Sequence, residues 1–354
     1  MLEAPPSKIL IIRPSAIGDI VMATPMAETL KKAWPKVKID WLIAPMYASL
    51  LKAHPFVDDL IEWNKAEWKE KLYRGRLPSF YRSVRNLSKS LKAKDYDLVL
   101  DAQGLLRSRF LAWLSGGKER IGFDSKEPGR SLMTKIISRG PDSDLMSSEY
   151  HYMMCSLGIE PKSFDPLIAL SKEDEEWAEA ILKQTGIAGP YFVFCPFTTR
   201  PQKHWLMHYW VELANYMSRF YSIDIIVLGG PADKTQAEKI AKHGGESIHN
   251  FAGRCSLPQS AALLKRAALA IGVDTGLTHM ATALKVPALA IFGSTKPYLD
   301  ARTKSTKVLY SNLSCSPCKR KPTCHGQYEC MRLITPQIVA QEAQNLILEQ
   351  KLPS

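Results

Sequence analysis

Short apolar runs alternate with helical patterns along the whole chain, in two successive series. The first series has apolar runs at residues 9–12, 37–44, 57–63, 96–101 and 120–123. The second series has them at residues 191–197, 223–228, 269–273 and 287–292. Strands of this length with helices between them are typical of parallel sheets that are covered on both faces. The pattern therefore predicts an α/β protein with two doubly wound domains.

The segment between the two series has the composition of a linker. Residues 161–166 hold two prolines and show no hydrophobic periodicity. We therefore expect an N-terminal domain over residues 1–165 and a C-terminal domain over residues 166–354. A length of 354 residues agrees with this division, because domains average about 150 residues. A last helix is expected at about residues 336–350, with packing back on the N-terminal domain as one alternative for it.

Polar residues follow the first apolar run. The loop Arg13-Pro-Ser-Ala-Ile-Gly-Asp19 joins this run to a helix that the periodicity predicts over residues 20–33. Doubly wound sheets bind ligands beyond the carboxyl ends of their strands, so we expect this loop to open into a cleft. Asp19 stands at the start of the helix, where aspartate often caps free N–H groups. The residues alone leave a ligand-facing role and a capping role open for Asp19 and also for Asp101, although an aspartate at a strand end, such as Asp101, more often caps the turn.

A second polar loop has the chemistry of a phosphate site. Val273-Asp-Thr-Gly276 opens a helix, where unpaired N–H groups and the helix dipole favour an anion. The hydroxyls of Thr275 and Thr278 would donate hydrogen bonds, and Gly276 would allow close approach. Lys203 could supply a point charge to the same group. The alternatives are a capped helix without a ligand and a surface lysine.

The net charge of +12 indicates an acidic partner or an acidic neighbourhood. Between residues 65 and 94 only two acids, Glu67 and Glu70, accompany a run of basic residues with aromatic residues interleaved. The basic residues of this segment are Lys65, Lys69, Lys71, Arg74, Arg76, Arg82, Arg85, Lys89, Lys92 and Lys94. Such a segment can lie at a membrane interface, along a nucleic acid or free in solvent as a helix face.

Membrane-spanning and secreted classes are disfavoured. No run approaches the roughly 20 apolar residues that a membrane span needs, and the N-terminus lacks the basic-then-apolar order of a signal peptide. We therefore expect a cytoplasmic protein. In that reducing compartment, the array of Cys315, Cys318, Cys324 and Cys330 is a candidate tetrahedral zinc or iron site. The alternative for these four cysteines is a loop of reduced thiols.

Four motifs, in their order and spacing, resemble the bacterial ADP-heptose:lipopolysaccharide heptosyltransferases of glycosyltransferase family 9. They are Arg13-Pro-Ser-Ala-Ile-Gly-Asp19, Asp101-Ala-Gln-Gly-Leu-Leu-Arg-Ser108, Thr198-Thr-Arg-Pro-Gln-Lys-His-Trp205, and Asp274-Thr-Gly-Leu-Thr-His279 with Phe292-Gly-Ser-Thr-Lys-Pro297. The second and third motifs are more similar to heptosyltransferase I, which adds the first heptose to Kdo, than to heptosyltransferase II. The resemblance implies a GT-B fold, in which two Rossmann-like doubly wound domains face a central cleft, with the acceptor in the N-terminal domain and the nucleotide-sugar in the C-terminal domain.

The resemblance also implies the reaction and its residues. Heptose would pass from ADP-L-glycero-D-manno-heptose to the Kdo of inner-core lipopolysaccharide with inversion, and Asp19 would be the general base. Donor-binding positions would be Thr198, Thr199, Lys203, Asp274, Thr275, Gly276 and His279. Candidate contacts to the anionic Kdo-lipid A acceptor are Arg74, Arg76, Lys126 and Arg130. Catalysis would need no cofactor, a zinc or iron ion at the cysteines would be structural, and the enzyme would act peripherally at the cytoplasmic face of the inner membrane.

Two other functions compete with this interpretation. A heptosyltransferase that acts on a later core sugar or on a protein would keep the donor site and change the acceptor surface. A non-enzymatic nucleic-acid-binding protein would use the basic segment, but this leaves the four nucleotide-sugar motifs unexplained, so no nucleic-acid partner is expected. A dinucleotide oxidoreductase is disfavoured, because the first loop lacks G-x-G-x-x-G.

Overall fold

A computed structural model describes residues 4–351, and the chain divides into two units. The first unit runs to Asp142 and also contains Ser147–Ala169. The second unit contains Ser143–Met146 and the chain from Leu170 onward. The polypeptide therefore enters the second unit twice, first with the four residues Ser143–Met146 and again from Leu170 onward.

The first unit is a six-stranded parallel sheet with helices. Its strands are β1 (Lys8–Ile12), β2 (Lys38–Ile43), β3 (Asp59–Glu62), β4 (Leu98–Asp101), β5 (Glu119–Phe123) and β6 (Lys135–Ile137). Its helices are α1 (Ile17–Ala23), α2 (Pro25–Ala33), α3 (Pro45–Ala48), α4 (Lys65–Tyr73), α5 (Leu77–Lys92), α6 (Leu106–Leu114) and α7 (Ser148–Ser156). The strand order is β3-β2-β1-β4-β5-β6, which is the order of a doubly wound nucleotide-binding fold.

The second unit repeats this architecture. Its strands are β7 (Tyr191–Cys195), β8 (Asp224–Val227), β9 (Ile248–Asn250), β10 (Leu269–Val273), β11 (Ala288–Phe292) and β12 (Thr306–Tyr310). Its helices are α8 (Lys172–Gln184), α9 (Met207–Tyr221), α10 (Lys234–Gly244), α11 (Leu257–Arg266), α12 (Gly276–Ala283), α13 (Glu329–Arg332) and α14 (Pro336–Lys351). The order β12-β11-β10-β7-β8-β9 is the same winding. The prediction of two Rossmann-like domains is confirmed.

Two local features differ from the sequence-based expectation. The helix predicted over residues 20–33 is two helices, α1 and α2, because Pro25 occupies the first position of α2 and cannot donate a bond to the preceding turn. The apolar pattern also misses β6 and β9, which are three residues long, and β12, which is only partly buried. The last helix, α14, buries Val339 and Ala343 in a core cluster with Leu213 of α9.

Strand register brings the polar loops of each unit to one edge of its sheet. In the first unit Ile12 of β1 pairs with Asp101 of β4, so the loops that follow these strands start side by side. In the second unit Gly272 pairs with Cys195 of β7 and Val273 with Ile291 of β11. Because all residues of β7, β10 and β11 are buried, the polar residues that follow them are the first that can reach solvent.

Candidate functional site

The carboxylate of Asp19 lies at the start of α1 and has two partners. Its Oδ2 accepts a hydrogen bond from the Ala16 backbone N–H at 3.1 Å, and its Oδ1 lies 2.8 Å from Nη2 of Arg13. Asp19 therefore caps the turn, as the capping interpretation expects. Its side chain also remains 40% exposed, so a ligand can reach it.

Arg13 is a residue of this loop whose role sequence reasoning missed. Its guanidinium is buried, donates from Nη1 to the Ala102 carbonyl at 2.7 Å and lies 5.7 Å from the ring centre of Tyr150. Burial acts to lower the pKa of Arg13, but Tyr150 and Asp19 raise it above its ordinary value, so the cation persists. The sequence does contain a signal for this role, because Arg13 directly follows a buried strand. A buried charge at such a position has to be paired.

Asp101, at the end of β4, is a buried turn cap, as interpreted from the sequence. Its Oδ1 accepts hydrogen bonds from the backbone N–H groups of Gln103 and Gly104, each at 3.0 Å. Burial raises the pKa of Asp101 against these hydrogen bonds. The residue holds the loop after β4 in place beside the loop that carries Asp19.

In the second unit, Asp274 is the centre of a buried polar network at the end of β10. Its Oδ2 lies 2.6 Å from Nζ of Lys203 and accepts a hydrogen bond from the Thr295 hydroxyl. Its Oδ1 lies 3.1 Å from Nε2 of His279. Burial acts to raise the pKa of Asp274, but His279 and Lys203 outweigh it and hold this pKa well below its usual range. Asp274 is therefore a fixed anion that orients a lysine at the edge of the sheet.

The imidazole of His279 is held from both sides. Its Nδ1 lies 2.8 Å from the Tyr298 hydroxyl, while Nε2 faces Asp274. In the neutral imidazole, Nε2 carries the proton, because the Asp274 carboxylate can only accept, and the Tyr298 hydroxyl then donates to Nδ1. Tyr298 is buried, which raises the pKa of its phenol and keeps it protonated. Thr295 and Tyr298 were not predicted as site residues, although Thr295 lies within a quoted motif and Tyr298 follows it.

The N-terminus of α12 lies beside this network. Thr275 is the N-cap residue, its side chain makes no capping bond, and Gly276 begins the helix. The Thr278 hydroxyl, by contrast, donates to the Val273 carbonyl at 2.7 Å and is buried, so it does not face a ligand as the sequence suggested. Helix α12 therefore offers free backbone N–H groups and one uncommitted hydroxyl.

The loop after β7 completes the set of predicted donor residues. The Thr198 hydroxyl donates to the Asp274 carbonyl at 3.4 Å, and the Thr198 carbonyl lies 2.8 Å from Nε2 of His204. Thr199, next along the loop, is exposed. The structure thus brings together Thr198, Lys203, Asp274, Thr275, Gly276 and His279 at one edge of the second sheet.

The predicted acceptor contacts lie on two segments of the first unit. Arg74 and Arg76 are exposed in the turn between α4 and α5, and Arg74 pairs with Glu70 at 3.2 Å. Lys126 and Arg130 follow β5, and Nη1 of Arg130 lies 2.5 Å from the Asp124 carboxylate. These side chains lie on an exposed basic surface, where ion pairs of this kind are weak.

The four clustered cysteines line one small cavity in the second unit. Burial, and then the neighbouring thiols, raise the pKa of Cys318 and of Cys330. The cysteine segment is tied to the donor loops, because the Lys319 N–H donates to the Ser294 carbonyl at 2.6 Å and Gln202 Nε2 donates to the Lys319 carbonyl at 3.0 Å. Within residues 4–351, no three or more His, Cys, Asp or Glu side chains are arranged to hold a metal ion.

Comparison with known proteins decides the family. The model of glycosyltransferase family 9 (heptosyltransferase) matches residues 84–329, well over half of the chain. The chain belongs to glycosyltransferase family 9. It is therefore an enzyme, a glycosyltransferase of the heptosyltransferase kind. The polar network in each unit is a candidate functional site of this enzyme.

Individual relatives extend the match over nearly the full length. Lipopolysaccharide heptosyltransferase 1 of Pseudomonas aeruginosa is 28% identical, and the alignment covers 96% of this chain and 98% of that protein. A glycosyl transferase family 9 structure from Veillonella parvula superposes with a TM-score of 0.84 at 22% identity, covering 97% and 98% of the two chains. The structure of Escherichia coli heptosyltransferase WaaC with ADP has a TM-score of 0.74 at 25% identity, covering 96% and 99%. These neighbours confirm the GT-B fold.

Proposed function

We propose that this family 9 enzyme transfers heptose from ADP-L-glycero-D-manno-heptose to the Kdo of inner-core lipopolysaccharide, with inversion of the anomeric centre. The observation that carries the proposal is the buried Lys203–Asp274 pair beside the N-terminus of α12. The lysine charge and the free N–H groups of this helix terminus are both groups that bind a diphosphate. The likeness to lipopolysaccharide heptosyltransferase 1 over nearly the whole chain supports the choice of acceptor.

The donor diphosphate binds at the edge of the second sheet. Lys203 gives it a positive charge, the first N–H groups of α12 donate to it from Gly276 onward, and Thr275 and Thr199 offer hydroxyls. The Thr198 hydroxyl joins them once it leaves its long bond to the Asp274 carbonyl. Asp274, with His279 behind it, keeps the Lys203 ammonium at a fixed position. The same groups stabilise the negative charge that develops on ADP as the glycosidic bond to phosphate breaks.

Asp19 acts as the general base. The acceptor hydroxyl attacks the anomeric carbon of heptose, its proton passes to the Asp19 carboxylate, and the bond from that carbon to the diphosphate breaks, so that ADP leaves with the bonding electron pair. The ion pair with Arg13 and the hydrogen bond from the Ala16 N–H together fix the direction of the Asp19 carboxylate. The exposed fraction of the side chain supports access by the acceptor.

The acceptor binds to the basic surface of the first unit. Arg74, Arg76, Lys126 and Arg130 pair with the Kdo carboxylates and the lipid A phosphates, because guanidinium and ammonium groups recognise these anions well. Since this acceptor carries a lipid, the enzyme works peripherally at the cytoplasmic face of the inner membrane. None of the helices within residues 4–351 is long and apolar enough to cross a bilayer.

The four thiols of the cysteine cavity are not arranged to hold a metal ion as they stand, so a structural zinc or iron ion would require them to turn toward one another. Four thiols that line one cavity are the donor set that both ions accept in tetrahedral sites. Bound there through Cys315, Cys318, Cys324 and Cys330, the ion would supply cross-links to a segment that lacks regular structure over most of its length. The segment contacts Ser294 and Gln202, so its role is to brace the donor loops.

A direct assay tests the proposed reaction. The purified chain is incubated with ADP-heptose and Kdo2-lipid A, and we expect release of ADP together with a heptose-sized mass gain on the acceptor. Parallel reactions offer an already heptosylated core or a protein acceptor, and ADP-glucose serves as the control donor. Transfer only to the heptosylated core or to protein would overturn Kdo as the acceptor, and the absence of transfer in every reaction would overturn the proposal itself.

A further inference from the structure

Helices α4 and α5 form a hairpin whose inner side is anchored in the first unit. Trp68 of α4 and Val84 and Leu87 of α5 pack against the buried core cluster there. Trp68 also makes edge-to-face contacts with Trp63 and Phe80, with ring centres 5.7 and 5.6 Å apart. The inner side of the hairpin is therefore packed against the core of the first unit.

The tip of the same hairpin exposes large apolar side chains. Leu72 is 48% exposed, Tyr73 76%, Leu77 60% and Tyr81 67%, and all four lie within ten residues of one another. Gly75, between the two helices, has a φ of +65° and open space around it, so the turn projects freely. Single exposed apolar residues are common on soluble proteins, but a cluster of this kind marks an interaction surface.

Basic side chains surround this apolar tip. The hairpin carries Lys65, Lys69, Lys71, Arg74, Arg76, Arg82, Arg85, Lys89 and Lys92. Its two acids are engaged within α4, because Glu67 pairs with Lys71 and Glu70 with Arg74. The ammonium of Lys69 lies 5.3 Å from the ring centre of Tyr73, which places charge and aromatic surface side by side. The surface therefore combines strong positive charge with exposed leucine and tyrosine.

We propose that the α4–α5 tip is a docking element for an anionic phospholipid bilayer. Leu72, Tyr73, Leu77 and Tyr81 enter the boundary between headgroups and acyl chains, while the surrounding arginines contact lipid phosphates, as in other interfacial amphipathic segments. A nucleic acid would match the charge but would leave the two leucines in water. This inference rests on the proposed function only for the acceptor's place in a membrane, because the hairpin itself requires neither donor nor acceptor to bind lipid.

Vesicle binding by the full chain tests the proposal. Vesicles of phosphatidylcholine with phosphatidylglycerol should bind the wild type, and salt should weaken this binding, whereas vesicles of phosphatidylcholine alone should bind much less. The change Leu72→Ser/Tyr73→Ser/Leu77→Ser/Tyr81→Ser should weaken binding more than about tenfold, since it removes the inserted apolar area. The matched control is Tyr216→Ser/Phe220→Ser, which removes two exposed aromatic rings from α9 of the second unit and should bind vesicles as the wild type does.

The remaining outcomes separate docking from the proposed reaction. The fourfold variant should keep its ADP affinity and its turnover with a water-soluble, lipid-free Kdo acceptor, which shows that it is folded. Unchanged vesicle binding by this variant, equal loss in the α9 control, or a preference of the wild type for duplex RNA over anionic vesicles would each overturn the docking role. Vesicle binding that depends on the hairpin, in a protein that transfers no heptose, would support docking and reject the proposed reaction alone.

Discussion

Nζ of Lys203 lies 2.6 Å from Oδ2 of Asp274, and both side chains are largely buried. A buried pair of this kind does little for stability on its own, but the removal of one partner leaves an uncompensated charge. Asp274 has further partners in His279 and Thr295, so it stays anchored when the lysine turns toward a ligand. The pair is therefore suited to hold a cation ready for an incoming anion.

The change Lys203→Ala should weaken ADP binding by about 1–3 kcal/mol, the scale of a hydrogen bond to a charged group. Isothermal titration calorimetry with ADP measures it directly. Lys307→Ala is the matched control, because it removes a lysine that pairs with Glu342 on the surface of the same unit. Equal ADP affinity in the wild type and the Lys203 variant would place the diphosphate elsewhere.

The change Tyr298→Phe should loosen the donor site while costing little stability. It removes the hydrogen bond to Nδ1 of His279, worth about 1 kcal/mol, and so frees the imidazole that supports Asp274. We expect several-fold weaker ADP binding by calorimetry. Tyr191→Phe is the control, because its buried hydroxyl donates only to the Leu263 carbonyl in the same unit. If both variants lose stability and neither loses ADP affinity, Tyr298 is merely a core residue.

The sequence predicts the features of this site that depend on neighbouring residues, but not the contacts between residues that lie far apart along the chain. Strand β10 matches the predicted run at residues 269–273 because all five of its residues are buried and apolar, and the Gly, Thr and Asp residues that follow it are a local signal. The bond from Tyr298 to His279 joins residues nineteen positions apart, and it exists only because β11 lies beside β10. Arg13 and Asp19 share one loop, but which partner each takes depends on the neighbouring turn at Ala102. Tertiary placement, and not residue type, decides these contacts.

The change Asp19→Asn should lower turnover roughly 10²–10⁴-fold, because the amide cannot take the acceptor proton. Unfolding free energy should fall by only about 1–2 kcal/mol, since the amide can still accept from Ala16 while Arg13 loses its counter-charge. Steady-state kinetics and urea unfolding measure the two effects. Asp233→Asn, whose carboxylate accepts from the Gly230 backbone N–H at 2.8 Å just before α10, controls for the capping change. If the Asp19 variant is destabilised yet keeps most of its turnover, Asp19 only caps its helix and is not the general base.

Buried His54 should make stability depend on pH. Burial lowers its pKa to about 4, against about 6.5 in the unfolded chain. Below pH 6.5 the unfolded state therefore binds the proton first, so this stabilisation is complete above pH 6.5 and is lost as the pH falls toward 4, by up to about 3 kcal/mol. His54→Gln should flatten this part of the urea-unfolding profile, whereas exposed His208→Gln should not. A difference between wild type and His54→Gln that is constant with pH would contradict the assignment.

Elemental analysis tests the cysteine cavity. Protein purified without a metal-affinity tag should contain about one zinc or iron ion per chain, as a four-thiolate site binds one ion. Cys318→Ser/Cys324→Ser should lose the ion, while Cys155→Ser/Cys255→Ser, which changes cysteines outside the cavity, should retain it. If both metals are absent and the four thiols titrate freely, the segment is a loop of reduced cysteines.

The double entry of the chain into the second unit limits how the enzyme can be dissected. Residues 143–146 contribute a backbone bond from Met146 to Asp300 at 2.8 Å, and the Met146 carbonyl accepts from Arg302 at 2.9 Å. A recombinant fragment that begins at Leu170 therefore lacks a strip that buttresses the segment just after Thr295 and Tyr298. Such a fragment would be defective because residues 143–146 are missing, and not because of the residues that it contains. An isolated second unit therefore needs residues 143–146, supplied as a peptide or joined through a new connection.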